Sequence, residues 1–264
     1  MIYIKHDEEI ELIRSSSQLV SKTLAFIAGF LKEGITGLEM DLKAEEFIRD
    51  NGGIPAFKGL LGFPNTLCIS LNEAVVHGIP NSLPFKKGDI ISVDCGVLMN
   101  EFYGDSAYTF VLGESTPDIR KLIQVTEESL YKGIDQAIAG NRVGDIGYAV
   151  MYHCEKLHNY GVVKELVGHG IGRKLHEAPE IPNFGSKGKG PLLKEGMVIA
   201  IEPMVNLGTR NVKQLQDRWT IVTKDHKPSA HFEHTLAIRK DKADILSDNS
   251  FIKIAIKNNP ELLK

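Results

Sequence analysis

The chain is poor in the features that mark several protein classes. Its 264 residues include three cysteines, Cys68, Cys95 and Cys154, widely spaced, odd in number and without a CxxC pair. That usage excludes a disulfide scaffold and a zinc ribbon, and it fits a reducing compartment. Basic residues do not predominate: the formal net charge is −3, whereas a general nucleic-acid binder is usually basic. No apolar run reaches the roughly 20 residues that a membrane span needs. The best candidate, residues 19–31, contains Lys22 and follows the acidic HDEEIELIR, so it lacks a signal peptide's basic start. With 42% hydrophobic and 25% charged residues the chain is not disordered. A cytoplasmic globular protein is expected, with no specific nucleic-acid or membrane partner and with enough length for a substantial core.

What is present turns on residues 88–113. Ile90, Ile91, Val93, Val97 and Leu98 predict one strand, and Phe102, Tyr103, Tyr108, Phe110 and Val111 predict its return. A turn centred on Met99-Asn100 puts Asp94 directly opposite Asp105, with Cβ atoms roughly 4.5–5.5 Å apart. Two carboxylates so placed repel, and a buried unpaired one is costly. Something positive must lie between them, either a Lys or Arg or a divalent cation held by hard oxygen ligands.

Around this hairpin the chain says the same thing twice. His6-Asp7 opens a long helix, with Ile10, Ile13, Val20, Leu24, Ile27 and Leu31 at three- and four-residue steps until Gly34. Thr36-Gly37 opens a second helix that ends at Asn51-Gly52-Gly53, and a strand at 67–71 follows. After Gly113 the order restarts. Ser115-Thr116-Pro117 begins a helix that the pattern carries through Ile138 to Gly140, and a shorter helix spans 145–158. Then come Gly168-His169-Gly170, a long Gly/Pro/Lys loop through Gly190, and strands at 197–205, 219–223 and 232–238. The run Lys87-Gly88-Asp89-Ile90-Ile91-Ser92-Val93-Asp94 aligns with Glu195-Gly196-Met197-Val198-Ile199-Ala200-Ile201-Glu202. This reads as a duplicated unit, roughly 1–113 and 114–240, inside one domain spanning 1–264. It pairs Asp94 with Glu202 and Asp105 with Glu233, bringing four acids to one central sheet surface. Such a cluster is untenable without cations.

His169, flanked by glycines that let backbone approach on either side, is the added imidazole. Carboxylates plus one imidazole, with no thiolate, suit Mn, Fe, Co or Zn. Two such ions about 3.5–4 Å apart would lower the pKa of a shared water toward 7, the equipment for hydrolysis. A glutamate can take the water's proton, and neutral histidines can stabilise the tetrahedral intermediate or protonate a leaving amine, with His77 and His176 as spare candidates.

These residues sit within Cys68-Ile69-Ser70-Leu71-Asn72-Glu73, Val76-His77-Gly78-Ile79-Pro80, Gly168-His169-Gly170-Ile171-Gly172, His176-Glu177-Ala178-Pro179, Ile201-Glu202-Pro203 and Glu233-His234-Thr235. Together and in this order they resemble the type I methionine aminopeptidases of the short bacterial kind, over nearly the whole chain. The resemblance implies an α/β pita-bread fold, two pseudo-symmetric halves around a central curved, mainly antiparallel sheet covered by helices. It implies that Asp94, Asp105, His169, Glu202 and Glu233 bind two divalent metals, with Asp105 and Glu233 bridging. Glu202 resembles the residue that acts on the water, and His77 and His176 those that contact the scissile amide. Phe63, Cys68, Trp219, Leu60 and Leu175 fall at positions lining the methionine pocket. The substrates implied are N-termini of nascent polypeptides, which lose the initiator Met when the next residue is small. A monomer acting near the ribosome is expected.

The sequence also departs from that pattern. Leu60 stands where Tyr is usual and Leu175 where Phe is usual, which makes the pocket less aromatic. His231 stands where Gln is common. Strand alternation would put His231 on the same face as Glu233, where it is expected to hydrogen-bond a ligating carboxylate and not to add a ligand. An imidazolium there would repel the cations and sharpen the loss of activity in acid. Three other readings compete. Xaa-Pro peptidases share the catalytic half but usually carry a long N-terminal domain, and here the first helix starts almost at Met1. A non-catalytic peptide-binding protein would be expected to have lost some ligands, and none of the five is lost. A di-iron redox protein would use Glu-x-x-His pairs on helices, which are absent here.

Overall fold

The computed structural model describes residues 2–263. Local sequence signals start its helices. Helix α1 (Asp7–Phe30) opens where Glu9 accepts the His6 N–H at 3.2 Å and where Asp7, Glu8 and Glu9 face the positive helix end. Helix α2 (Gly37–Asp50) carries a full capping box: Thr36 Oγ1 accepts from the Glu39 N–H at 3.2 Å, and Glu39 Oε2 from the Thr36 N–H at 2.8 Å. Helix α3 (Pro117–Ile134) begins at the cap Thr116 with proline in its first turn. It stops at Ile134, short of the expected Gly140, because Ile138 bridges to Arg239 and the Ala139 N–H donates to the Arg239 carbonyl. Tertiary pairing overrides the helical period there. Helix α4 (Val143–Met151) runs on into a π-helical turn, Tyr152–Leu157. Helix α5 (Asn249–Asn258) has no counterpart in the sequence-based expectations. It ends at Asn259, whose Nδ2 donates to the Ala28 and Leu31 carbonyls and so satisfies the C-terminal end of α1. Among the described residues no helix is long and apolar enough to cross a membrane.

Among the described residues four sheets complete the fold, and every ladder between their strands is antiparallel. In the first, Ile90–Met99 pairs with Phe102–Val111 on one edge and with Leu67–Leu71 and Ile54–Pro55 on the other. The hairpin turn is Asn100-Glu101, with φ of 52° and 66°, and not Met99-Asn100. A two-residue turn of this kind needs two left-handed residues, which Asn tolerates and Met does not. The register therefore moves by two: Asp94 pairs with Ala107, and Asp105 with Gly96. The two acids are diagonal neighbours on one face and not directly opposite.

The five-stranded sheet runs Asp244–Ile245, His234–Ala237, Val198–Ile201, Gly168–Gly170, Glu177–Ile181. Its last strand lies in the stretch expected to be loop. The predicted strand 197–205 breaks at Glu202-Pro203, where proline has no N–H for a ladder. Met204–Asn206 then joins Ser229–His231 and Gly161–Val162 in a separate sheet. The run 232–238 likewise breaks at Phe232-Glu233. Glu202 and Glu233 thus stand at the two points where the chain leaves one sheet for another. The fourth sheet is Val212–Gln214, Ile221–Thr223 and Ala74–Val76, and Trp219 precedes it instead of opening its strand.

Side-chain hydroxyls stitch the first sheet to the chain on either side of the Phe232-Glu233 break. Thr235 Oγ1 donates to the Asp105 carbonyl at 2.8 Å and accepts the Asp105 N–H at 3.3 Å. Ser106 Oγ donates to the Glu233 carbonyl at 2.6 Å, and Thr109 Oγ1 to the His231 carbonyl at 2.7 Å. The Glu233 N–H reaches the Ala107 carbonyl at 3.0 Å. On the outer side α1 lies directly against Phe102–Val111. A Cβ at Gly104 would fall 2.4 Å from the Ser17 nitrogen, so only glycine admits this approach. The order α1, α2, 67–71, 90–99, 102–111 is followed by α3, α4, 168–170, 198–201, 234–237.

Candidate metal centre

Where the sheets meet, a pocket of about 590 Å³ opens. Its lining includes the expected ligand, substrate-contact and methionine-pocket residues: His77, Asp94, Asp105, His169, His176, Glu202 and Glu233, together with Leu60, Phe63, Cys68, Leu175 and Trp219, but not His231. Phe57, Leu61, Val76 and Met204 also line it, without having been expected. Val76 and Met204 adjoin His77 and the Glu202-Pro203 break, so adjacency was the available signal. Phe57 and Leu61 come from a Gly/Pro-punctuated stretch with no periodicity to read.

The polar part of the pocket is built from three sources. Strands 90–99 and 102–111 present Asp94 and Asp105, and the two breaks present Glu202 and Glu233. His169 sits between close-packed backbones: a Cβ at Gly168 would lie 2.4 Å from the Ala200 carbonyl oxygen, and one at Gly170 the same distance from that of Ala178. Its Nδ1 donates to the Gly170 carbonyl at 2.9 Å, which leaves Nε2 with a free lone pair. That Nε2 stands 3.8 Å from Asp105 Oδ2 and 3.7 Å from Glu202 Oε1. Donor atoms of Asp105, His169 and Glu233 all lie within 4.8 Å of one another. The rings of His169 and His176 meet edge to face at 4.5 Å.

The carboxylates have no lysine or arginine to answer them. Among the described residues their ion-pairing neighbours are imidazoles, so the Lys or Arg alternative fails. Asp94 Oδ1, Asp105 Oδ1 and Glu233 Oε1 are buried without any hydrogen-bond partner. Burial pushes the Asp94 carboxyl up to about 7, against hydrogen bonds with Asp105 and the Cys95 N–H that hold it down. Burial, then the neighbouring charges, drives Asp105, Glu202 and Glu233 well above the carboxylate range. Burial and then His176 lower His169 to about 4. Orphaned acid oxygens beside a neutral imidazole are a donor set that a divalent cation satisfies.

His231 is directed to the same centre, but its Nε2, 3.9 Å from Glu202 Oε2, makes no hydrogen bond, so the expected bond to a ligating carboxylate is not formed. It ends its own strand before the break, so the simple alternation with Glu233 does not hold. Burial and then His77 bring it down to about 3. His231 is therefore neutral, and the acid sensitivity expected of an imidazolium does not follow. His77, at a left-handed φ of 57°, and the solvent-reached His176 both have pKa values lowered by desolvation.

The apolar part is one cluster. Phe57, Phe63, Cys68 and Leu175 are buried together with Trp219 packed on them, and Phe63 meets Trp219 edge to face at 5.1 Å. Leu60 lies outside this cluster and lines the pocket from an exposed position. Cys68 pairs in register with Asp94; burial, then the charges of Asp94 and Asp105, keeps its thiol protonated, so it acts as wall and not as ligand.

Comparison with known proteins agrees with this geometry. Residues 11–240 match Metallopeptidase family M24. The chain is 49% identical over 247 residues to the methionine aminopeptidase of Clostridium perfringens, covering 94% of this chain and 99% of that one. It is equally 49% identical over 247 residues to methionine aminopeptidase 1 of Bacillus subtilis, with 94% and 99% covered. Among solved structures, that of methionine aminopeptidase from Rickettsia prowazekii superposes with a TM-score of 0.92 at 39% identity, over 94% of this chain and 100% of that chain. The fold is the pita-bread fold that the sequence resemblance implies.

Proposed function

This chain belongs to metallopeptidase family M24 and is a metal-dependent peptide hydrolase; from that premise we propose that it removes the initiator methionine from newly made polypeptides whose second residue is small. The observation that carries this reading is the juxtaposition of four uncompensated carboxylates and a neutral His169 with an apolar pocket walled by Phe63, Cys68, Leu175 and Trp219.

In this reading Asp94, Asp105, His169, Glu202 and Glu233 would hold two divalent ions of the Mn, Fe, Co or Zn class. The ions, when bound, supply Lewis acidity that acidifies water and polarises the scissile carbonyl. Glu202 accepts the attacking water's proton on a carboxylate oxygen and passes it toward the departing amine. His231, neutral and 3.9 Å from Glu202 Oε2 without a hydrogen bond to it, adds no positive charge beside the ions. His77 and His176, neutral near pH 7, each have an N–H to offer the scissile amide as charge develops on it. The Phe63–Trp219 corner, with Leu60 and Leu175, takes the unbranched apolar side chain and excludes water from it. We further propose one catalytic domain, residues 1–264, built from a repeat of roughly 1–113 and 114–240. The repeated element order supports it. A monomer working in the cytoplasm on chains leaving the ribosome suits this substrate.

The test uses Met-Ala-Ser and Ala-Pro peptides, offered after chelation and again after metal re-addition. Release of free methionine only with metal present is the expected result. Cleavage of the Ala-Pro peptide instead would make the chain an Xaa-Pro peptidase. Failure to cleave either with any of the four metals would leave a peptide-binding protein.

A further inference from the structure

A second group of metal-ligating side chains stands on the outer surface of the second half. It shares no residue with the carboxylate pocket. Glu128 projects from α3, His153 lies in the π-helical turn that follows α4, and His158 is the residue immediately after that turn. One donor atom from each of the three lies within 4.8 Å of the other two. His153 Nε2 is 3.1 Å from Glu128 Oε2, and the two imidazole rings are 4.9 Å apart at 67°.

The backbone explains the convergence. In an α-helix, residues five apart point about 140° from each other around the axis, so His153 and His158 would diverge. The wider turn over Tyr152–Leu157 brings them to one side, and the Tyr160 N–H closes it on the Cys154 carbonyl at 3.0 Å. π-Helical turns of this kind carry a cost and recur at functional sites.

A hydrogen bond between Glu128 and His153 would need neither the third donor nor further support. Here Gln124 Nε2 donates to Glu128 Oε1 at 2.7 Å, leaving Oε2 turned toward the imidazoles, as a ligating carboxylate is held by its own outer partner. With metal–ligand bonds of 2.0–2.1 Å, tetrahedral ligands stand about 3.3 Å apart, close to the spacing already present between Glu128 and His153. His153 also lines a surface depression of about 490 Å³, which provides access. The opposing charge is Lys132, one turn beyond Glu128, whose flexible stem lets its ammonium stay in water. Lys164 is paired with Glu155 at 3.6 Å.

We propose that Glu128, His153 and His158 form a separate metal site that takes one borderline transition cation such as Zn²⁺, with water completing its coordination. Two imidazoles and a carboxylate, without a thiolate and open on one side, favour Zn²⁺ over Mg²⁺ or Ca²⁺. Bound there, the cation joins α3 to the turn after α4.

Equilibrium dialysis of the full-length protein against buffered Zn²⁺ tests this. Wild type, His158→Gln, Asp105→Asn and the double variant are compared by metal content. His158→Gln should bind one equivalent fewer than wild type while keeping wild-type peptidase activity. The same one-equivalent gap should separate Asp105→Asn from the double variant. Equal Zn²⁺ content within both pairs overturns the proposal. The difference between wild type and Asp105→Asn reports on the carboxylate centre alone, so the two readings fail independently. Should a variant not fold, imidazole ¹⁵N spectra of the wild type decide: Zn²⁺ must shift the ring nitrogens of both His153 and His158, and the absence of a shift at either refutes the site.

Discussion

Chelated protein should lose stability as pH rises from about 6.5 to about 8, and metal-saturated protein should not. Without metal, Asp94 keeps its proton up to about 7, and Asp105, Glu202 and Glu233 keep theirs well above the usual range, burial being the main cause. In the unfolded chain the same groups are ionised by about pH 6. The folded state therefore binds more protons, and stability falls as pH rises toward the folded pKa values. Below about pH 6.5 the buried imidazoles oppose this trend. His169 and His234, near 4, and His231, near 3, stay neutral when folded and charge when unfolded, so they add stability as pH rises. At pH 6.5 each is still half protonated in the unfolded chain, so each opposes the carboxyls by about 0.4 kcal/mol between there and about 7.5, above which it is neutral in both states. Each carboxyl that keeps its proton across this window removes about 1.4 kcal/mol per pH unit, or about 2 kcal/mol in all. At about 2 °C per kcal/mol for a chain of this size, each such carboxyl lowers the Tm by about 4 °C and each opposing imidazole raises it by about 1 °C, so a net fall is expected when several of the four acids keep their protons. Scanning calorimetry at the two ends of the window, with and without metal, measures it. Metal-bound ligands are already deprotonated, so the loaded sample should show no comparable fall. A Tm that holds level or rises in the chelated sample would refute the reasoning that these four acids are uncompensated.

Glu202→Gln should fold and lose about 10²–10⁴ of its turnover, since an amide cannot take the water's proton; near-normal kcat with metal bound would remove Glu202 from that role. In His176→Ala, kcat should fall while metal content stays at the wild-type value, and stoichiometric metal loss would instead make His176 a ligand. Thr235→Val strands the Asp105 N–H and carbonyl, which it bridges 130 residues away in sequence. A cost of about 1–3 kcal/mol is expected in urea unfolding, and an unchanged midpoint would mean the hydroxyl stitch does not hold the sheets together. For His231→Gln, the acid limbs of the pH–activity curves should superimpose with wild type, because burial already holds His231 neutral with a pKa near 3. Divergent limbs would show a charged imidazole at that position.

Residue identity and period alone determined a good part of this protein. Helices α1 and α2, the strand at Leu67–Leu71 and the arms of the 90–111 hairpin were legible because each depends on local spacing and caps. The residues that converge on the candidate centre were legible because acids interrupting apolar strands, and a histidine between glycines, are chemically conspicuous. The tertiary structure decided what depends on partners far along the chain. Arg239 shortens α3, and Asn259 ties the region of α5 back to α1. Left-handed Asn100 and Glu101 set the hairpin register, so Asp94 and Asp105 meet diagonally. Pro203 denies the ladder an N–H, and the chain changes sheets beside Glu202. Burial by several elements at once turned His231 from a possible cation into a neutral neighbour of Glu202. Desolvation is a property of the packed surroundings and not of the residue, so no reading of the sequence alone could assign that charge.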